Sequence, residues 1–227
     1  MIKNKKIFIA CDTNHIDRVR KIIKQTQTKK LKIGYKFGLE FINSKNGRAF
    51  ISKLKKKIIF LDLKLHDIPN TMRSTLLTLK DLKVNYLTVH ISSGLKALKA
   101  VKKVSGRIKI VGVTTLTSLD NKDLKEIGFK KSLKKLVIHQ SKLARKANLD
   151  ALVCSAHEIE YIKKIFKKEI ITPGIRLTKN SHDQKRVMTP REAIFKKKSD
   201  WLVIGRSITK KGNIKNNIKS LINNLDK

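Results

Sequence analysis

Short apolar runs rich in β-branched residues recur along the chain and alternate with longer, mostly charged stretches. Eight of these runs lie at residues 7–10, 31–34, 58–63, 86–89, 108–113, 151–154, 170–172 and 201–204. Near-continuous apolar runs of this length are typical of parallel strands that are covered on both faces. The pattern therefore predicts eight buried strands.

Several of the intervening stretches predict helices. Residues 71–82 and 133–147 place apolar side chains near i, i+3, i+4 and i+7, which is the period of an amphipathic helix. Alternation of strand and helix is the sequence form of βαβ units. Eight such units within 227 residues predict an α/β protein, a (β/α)8 TIM barrel that forms a single domain over residues 1–227. A doubly wound open sheet is the structural alternative.

Polar residues fall at or just after the ends of the predicted strands. They are Asp12, Asp62, Lys64, His90, Thr117, Ser155, Arg176 and Arg206, which follows Gly205, while Lys32 lies within the second strand. Taken singly, each has an ordinary explanation, such as a helix cap or a surface charge. Active sites of TIM barrels are built at the C-terminal ends of the strands, so together these residues predict one site at one mouth.

The chain is strongly basic, with a formal net charge of +37 and a pI near 10.4. Only ten of the 54 basic residues are Arg, the lysines are spread over the whole length, and no basic strip is interleaved with aromatic residues. A compositional bias explains this better than nucleic-acid binding as the primary function. RNA binding on a barrel scaffold stays as an alternative, and the field would also attract small anionic substrates.

Cysteine usage and hydropathy indicate a soluble protein of the cytoplasm. Cys11 and Cys154 form no C-x-x-C pair and no zinc-ligand spacing, so no metal site is expected and both thiols are predicted core residues. The apolar run at residues 7–11 is too short for a signal peptide, and no stretch reaches the roughly 18 apolar residues of a membrane span. No membrane partner is expected.

The richest stretch in chemical groups is D-L-K-L-H-D-I-P-N-T at residues 62–71. Side chains on a strand alternate, so Asp62 and Lys64 should face the same side, and Pro69 rules out a continuing strand. The run resembles the active-site signature of the orotidine 5'-phosphate decarboxylase family. Further pieces occur in the family's order at residues 10–12, 31–34, 89–94, 113–118, 153–156, 172–176, 183–190 and 203–206.

The resemblance implies a lyase that converts orotidine 5'-phosphate to uridine 5'-phosphate and CO2, the last step of pyrimidine biosynthesis, without metal or cofactor. The family's alternating array maps onto Lys32, Asp62, Lys64 and Asp67, with Lys64 as the proton donor to C6. Asp62 would lie beside the substrate carboxylate. Two cations and two anions sum to zero, which keeps the desolvation cost of such an array tolerable.

The resemblance also implies the substrate contacts. Asp12 and Lys32 would hold the ribose, and Thr117 and Ser118 the pyrimidine. Ile68 is assigned to substrate binding, and Asp67 and Thr71 would reach the neighbouring site of a homodimer, although by spacing alone Asp67 could equally cap the next helix. A lid at about residues 176–190 would place Gln184 against the phosphate or the pyrimidine.

The phosphate site rests on more than the resemblance. Barrels often bind phosphate with the loops after strands seven and eight, and this chain offers Arg176 in one of these loops and Gly205 and Arg206 in the other. The planar guanidinium of Arg can donate two hydrogen bonds at once to a phosphate.

A metal-dependent sugar-phosphate decarboxylase or aldolase of the same barrel superfamily is the main alternative. Such enzymes, for example 3-keto-gulonate-phosphate decarboxylases and hexulose-phosphate synthases, share the D-x-K-x-x-D core. The continuation at residues 68–71 and the segment 183–190 match the orotidylate branch, which is therefore favoured.

Overall fold

The computed structural model describes residue 2 and residues 4–177, 188–210 and 212–226. Its strands are β1 (Lys6–Ala10), β2 (Lys32–Gly38), β3 (Ile58–Leu65), β4 (Tyr86–His90), β5 (Lys109–Val113), β6 (Ala151–Val153), β7 (Glu169–Thr172) and β8 (Trp201–Ile204). Each strand pairs in parallel with the next, and β8 pairs with β1. The predicted closed barrel is thereby confirmed.

Helices follow the strands on the outside of the barrel. They are α1 (Ile16–Gln25), α2 (Leu39–Ile42), α3 (Gly47–Lys53), α4 (Pro69–Thr78), α5 (Gly94–Val104), α6 (Asn121–Glu126), α7 (Leu133–Lys146), α8 (Ile159–Ile165), α9 (Arg206–Thr209) and α10 (Ile214–Asp226). The helix predicted over 71–82 instead begins at Pro69 and ends at Thr78, before a separate 3-10 turn at Lys80–Leu82. None of the helices in these ranges is long and apolar enough to cross a membrane.

Two strands extend further than their apolar runs indicated. β2 continues to Gly38 and β3 to Leu65. The apolar runs understated both lengths because Lys36 and Lys64, near the strand ends, interrupt the apolar pattern. In a barrel the inward side of a strand changes from apolar core to polar mouth along its length. A strand end defined by hydrophobicity therefore falls short of the mouth.

The barrel interior is packed with large side chains. Phe8, Phe60, Tyr86 and Trp201 form an aromatic cluster in which the rings of Phe8 and Trp201 stack with centroids 4.0 Å apart. Gly34 makes room for this layer, because a Cβ atom there would lie 2.6 Å from the Phe8 ring. The interior is thus a solid core below the mouth, as in other TIM barrels.

A second, larger core lies between the strands and the surrounding helices. α1 contributes Val19, Ile22 and Ile23 to it. Cys11 and Cys154 are buried in the same layer as free thiols, as predicted. This layer fixes the helices to the barrel and leaves the strand ends free to present polar side chains.

The floor of the barrel is closed by a charged cluster around Glu169, at the start of β7. Its carboxylate accepts hydrogen bonds from the ammonium groups of Lys6 (3.0 Å) and Lys109 (2.8 Å) and from the Tyr86 hydroxyl (3.0 Å). The Trp201 indole N–H lies 3.4 Å from it. These contacts join β1, β4, β5, β7 and β8 at the end opposite the mouth.

Candidate active site

A cavity of about 260 Å³ opens at the C-terminal ends of the strands. Its lining combines charged groups with apolar walls from the interior core. The lining residues are Ala10, Asp12, Lys36, Phe60, Asp62, Lys64, Val113, Thr115, Leu116, Thr117, Val153, Pro173, Gly174, Ile175, Arg176, Val203, Gly205 and Arg206. This is where the sequence predicted that residues from separate strands would meet.

Four of the lining side chains form a line of alternating charge. Lys36 Nζ lies 3.0 Å from Asp12 Oδ1 and 3.3 Å from Asp62 Oδ2, and Lys64 Nζ lies 2.9 Å from Asp62 Oδ1. Both oxygens of the Asp62 carboxylate therefore contact an ammonium group. The line contains two cations and two anions, so its formal charge is zero.

Lys36, not Lys32, supplies the second lysine, and the expectation that Lys32 belongs to the array is wrong. Lys32 is the first residue of β2, exposed and paired with Lys6 at the floor end of the barrel. Four residues of strand separate the two lysines, or about 13 Å. Both point to the same face by alternation, so the sequence offered no parity signal to choose between them.

Burial and charge act in opposite directions on the array. Burial by itself would raise the pKa of the Asp62 carboxyl, but the ammonium groups of Lys36 and Lys64 hold that pKa below its ordinary value. Burial would lower the pKa of Lys36, and the carboxylates of Asp62 and Asp12 more than offset it. Asp62 is therefore ionised and Lys36 protonated at neutral pH.

The two lysines differ in accessibility. The Lys36 side chain is 12% exposed and is held between two carboxylates, whereas Lys64 is 36% exposed and, among the carboxylates of the described residues, contacts Asp62 alone. Lys64 is thus the ammonium that a bound molecule can reach. Lys36 fixes Asp12 and Asp62 beside it.

β3 is irregular where it carries Asp62 and Lys64. Leu61 pairs with Leu87, but Leu65 pairs with Val89, so β3 has two more residues than β4 between these points. Lys64 lies in this bulge with φ +48°, in the left-handed region. Few residues other than glycine and asparagine adopt this conformation. Bulges commonly re-aim a side chain next to an active site.

The loops after β7 and β8 form the wall opposite Lys64. Gly174, Arg176, Gly205 and Arg206 all line the cavity. A Cβ atom on Gly205 would lie 3.6 Å from Asp12 Oδ2, which shows how closely this loop approaches the array. The predicted phosphate-binding residues of the described chain thus share the cavity with the charged line.

The loop after β5 contributes Thr115, Leu116 and Thr117 to the cavity. Thr117 was predicted at this wall, whereas Ser118 is exposed and is not among the lining residues. Thr115 and Leu116 were missed, since their side chains follow no strand-end pattern that singles them out. The buried Thr115 hydroxyl donates to Gln140 Oε1 on α7 (3.2 Å).

Asp67, Ile68 and Thr71 lie outside this cavity and are exposed, Ile68 by 66%. Asp67 Oδ1 accepts a hydrogen bond from the Ile68 N–H at 2.7 Å. Ile68, not Asp67, is the N-cap residue of α4, so the capping alternative for Asp67 is wrong. Within the described chain Asp67 forms no ion pair with Lys64. Gln184 and residues 178–187 of the predicted lid lie outside the described residues.

His90 and Ser155 end their strands without joining the cavity. The His90 ring faces His66 with centroids 5.3 Å apart, and burial, His66 and Lys64 together lower the pKa of His90. Ser155 caps a 3-10 turn by accepting a hydrogen bond from the His157 N–H. In the described ranges no group of three or more His, Cys, Asp or Glu side chains is arranged to hold a metal ion.

Comparisons with known proteins agree on one family. The model of the family described as "Orotidine 5'-phosphate decarboxylase / HUMPS family" matches residues 5–221. A protein of Wolbachia pipientis subsp. Culex pipiens named orotidine 5'-phosphate decarboxylase is 46% identical over 183 residues, 78% of this chain and 80% of the relative.

Two further matches cover almost the whole chain. A Wolbachia sp. subsp. Brugia malayi protein of the same name is 39% identical over 96% of this chain and 98% of its own. The crystal structure of orotidine 5'-phosphate decarboxylase from Lactobacillus acidophilus superimposes with a TM-score of 0.83 at 27% identity, covering 99% of this chain and 100% of that one.

Proposed function

The chain belongs to the orotidine 5'-phosphate decarboxylase / HUMPS family, and we propose that it converts orotidine 5'-phosphate to uridine 5'-phosphate and CO2. This is the last step of de novo UMP synthesis. The observation that supports it most directly is the Lys64 ammonium, 2.9 Å from Asp62 in a cavity whose far wall carries Arg206. That arrangement places a proton donor at one end of the cavity and an anion-binding side chain at the other.

The chemistry requires charge stabilisation in the plane of the pyrimidine. When the bond between C6 and the carboxyl carbon breaks, CO2 leaves and its electron pair stays on C6, where no π system can delocalise it. An ammonium group beside C6 stabilises this charge increasingly as it develops, which is the differential binding that raises rate. Lys64 then donates its proton to C6, and solvent reprotonates the amine.

The other members of the charged line hold Lys64 in place. Asp62 contacts both lysines and keeps the Lys64 ammonium directed into the cavity. Asp12 and Lys36 hold the ribose hydroxyls, since they lie on the Gly205 side of the line. Thr117 contacts the pyrimidine edge, with Ser118 following it in the same loop.

The phosphate is bound by Arg206, Arg176 and the backbone of Gly205. Charge-assisted hydrogen bonds from a guanidinium to a phosphate are about twice as strong as neutral ones. The segment 176–190 acts as a lid in this proposal, with Gln184 contacting the bound nucleotide. Closure would use phosphate binding energy to exclude water from the ring.

The first experiment follows the ultraviolet absorbance of orotidine 5'-phosphate mixed with purified protein in excess chelator. Rapid loss of substrate is expected, Lys64→Ala should abolish it, and Lys99→Ala is the control because Lys99 is an exposed lysine on α5. Turnover of a sugar phosphate only after magnesium is restored would instead support the metal-dependent branch of the family. Salt-dependent retention of the protein on RNA that is unchanged by Lys64→Ala would point to nucleic-acid binding.

A homodimer with shared active sites is part of the proposal. Asp67, Ile68 and Thr71 are exposed beside the mouth, where they are free to enter a second copy's site and place Asp67 beside the partner's ammonium group. The charge order would then be Lys36, Asp62, Lys64 and the Asp67 of a second chain. Each subunit of the dimer would be a single-domain barrel, and the dimer would be located in the cytoplasm.

Co-expression of two inactive variants tests this sharing. In a dimer of one Lys64→Ala and one Asp67→Asn chain, one site carries both changes and the other carries neither. Random pairing should therefore restore about a quarter of the wild-type activity. If Asp67 serves its own chain's site, every site keeps one defect and no activity returns.

A further inference from the structure

Thr88 lies at the middle of β4, directly beside the bulge of β3. Its side chain is fully buried, and it is not among the residues that line the cavity. It is therefore placed to act on the array without touching a bound substrate.

The Thr88 hydroxyl connects the two members of the reactive pair. Its Oγ1 accepts a hydrogen bond from the Lys64 backbone N–H at 2.7 Å and donates to Asp62 Oδ1 at 3.2 Å. Asp62 Oδ1 is also the oxygen that contacts Lys64 Nζ at 2.9 Å. One hydroxyl thus fixes both the backbone of the proton donor and the carboxylate that directs its ammonium group.

The backbone of Lys64 needs this support. The bulge shifts β3 relative to β4 between Leu61 and Leu65, so the Lys64 N–H does not take part in the regular ladder and is satisfied by a side chain instead. Lys64 also holds a left-handed φ of +48°, a conformation that persists only where surrounding contacts impose it. A hydroxyl can supply the donor and the acceptor at once.

We propose that Thr88 is a positioning residue that holds Lys64 and Asp62 in their reactive arrangement. This inference rests on the proposed decarboxylation for its kinetic consequences. Without the hydroxyl, the Lys64 N–H loses its partner and Asp62 loses one of the donors that orient it. The Lys64 ammonium would then sample positions away from C6, while the phosphate end of the cavity stays intact.

The test compares Thr88→Val, which keeps the shape and removes the hydroxyl, with Thr88→Ser, which keeps the hydroxyl. Thr88→Val should lower kcat about 10- to 100-fold, the loss expected for one buried hydrogen-bonding group expressed in the transition state. Its KM should change less than about threefold, because Arg206 and Gly205 are untouched. Thr88→Ser should stay within about threefold of wild type in kcat.

Thr26→Val is the matched control. Thr26 is also fully buried, and its hydroxyl also makes two hydrogen bonds, to Ile22 O (2.8 Å) and the Tyr35 hydroxyl (3.0 Å), at the end of α1. It should lower the melting temperature as Thr88→Val does and leave kcat unchanged. If Thr88→Val does not yield folded protein, Thr88→Ala replaces it with the same expected loss.

Three kinetic outcomes would overturn the inference: a wild-type kcat in Thr88→Val, an equal loss in Thr88→Ser, or an equal loss in Thr26→Val. Crystal structures of the wild type and Thr88→Val provide a readout that does not depend on turnover. Lys64 should leave its left-handed φ or its ammonium should move away from Asp62, and an unchanged pair would refute the positioning role. If the wild type lacks decarboxylase activity, the proposed function fails while this structural comparison still decides the role of Thr88.

Discussion

Replacing each of two lysines on β2 in a separate variant gives the sharpest test of the site. Lys36→Ala should nearly abolish decarboxylation, and Lys32→Ala should leave it unchanged. Both substitutions remove one positive charge from β2 on the same face. The two lysines differ in height along the barrel, since Lys36 lines the cavity and Lys32 starts the strand at the floor.

The expected magnitude follows from the contacts of Lys36. Its ammonium lies 3.0 Å from Asp12 and 3.3 Å from Asp62, and the side chain is 12% exposed. Removing one partner of a buried ion pair costs about 3–5 kcal/mol, because the remaining charge is left uncompensated. If that cost is expressed in the transition state, kcat/KM falls about 10²- to 10⁴-fold. Lys32 is exposed, and its loss should change stability by less than about 0.5 kcal/mol.

The assay is the absorbance change of orotidine 5'-phosphate, with the melting temperature of each variant measured alongside. Lys36→Met, which keeps the length of the side chain but not its charge, separates loss of charge from loss of packing and should be as impaired as Lys36→Ala. Wild-type kcat/KM in Lys36→Ala together with a large loss in Lys32→Ala would refute the assignment made from the structure.

Three further predictions concern the floor, the interior and the phosphate wall. The salt bridges of Lys109 and Lys6 outweigh burial and hold the pKa of Glu169 at about 2 instead of 4.5. The stabilisation is therefore complete above the unfolded value and is lost as pH falls from about 4.5 towards 2. Denaturant unfolding should show Glu169→Gln about 1–2 kcal/mol less stable than wild type at neutral pH, allowing for solvent screening, with the difference vanishing in acid. The control Glu40→Gln, which changes an exposed carboxylate, should show no such difference. A stability difference between Glu169→Gln and wild type that persists at about pH 2 would contradict the prediction. Gly34→Ala should lower the free energy of unfolding by about 1–3 kcal/mol, because its Cβ would lie 2.6 Å from the Phe8 ring. Gly38→Ala, whose Cβ would lie 3.7 Å from its nearest neighbour, should not. Equal melting temperatures for the two variants would disprove the packing argument. Arg206→Ala should lower kcat/KM about 10- to 150-fold through lost charge-assisted hydrogen bonds to phosphate. Arg20→Ala, which breaks an exposed ion pair with Asp17, should leave kcat/KM unchanged. An Arg206→Ala variant as active as wild type would show that Arg206 does not bind the phosphate.

The order of strands and helices was predictable because each element is a local pattern. Parallel strands buried on both faces need nearly continuous apolar runs, and the chain supplies eight of them. Strand ends in a barrel also bring polar residues together, so Asp12, Asp62, Lys64 and Arg206 could be assigned to one mouth from sequence order alone. The structure places all four in the lining of one cavity.

The true lengths of the strands depended on tertiary structure. Lys36 extends β2 towards the mouth because the neighbouring strand continues beside it, with Lys36 paired to Phe60 and Gly38 to Asp62. The resemblance placed the family's first lysine at Lys32, inside the apolar run, and an apolar run cannot report such pairing. Thr115 was missed for a similar reason, since loop residues follow no strand periodicity.

Apolar periodicity and the ten-residue run at 62–71 are local signals, so the barrel and the position of Asp62 and Lys64 at its mouth could be predicted from the chain alone. Which lysine completes the array, and how Lys64 is held, depended on the folded barrel. The bulge in β3, the left-handed φ of Lys64 and the hydroxyl of Thr88 are properties of two strands together. Contacts between residues distant along the chain form only when the barrel closes, and no local pattern specifies them.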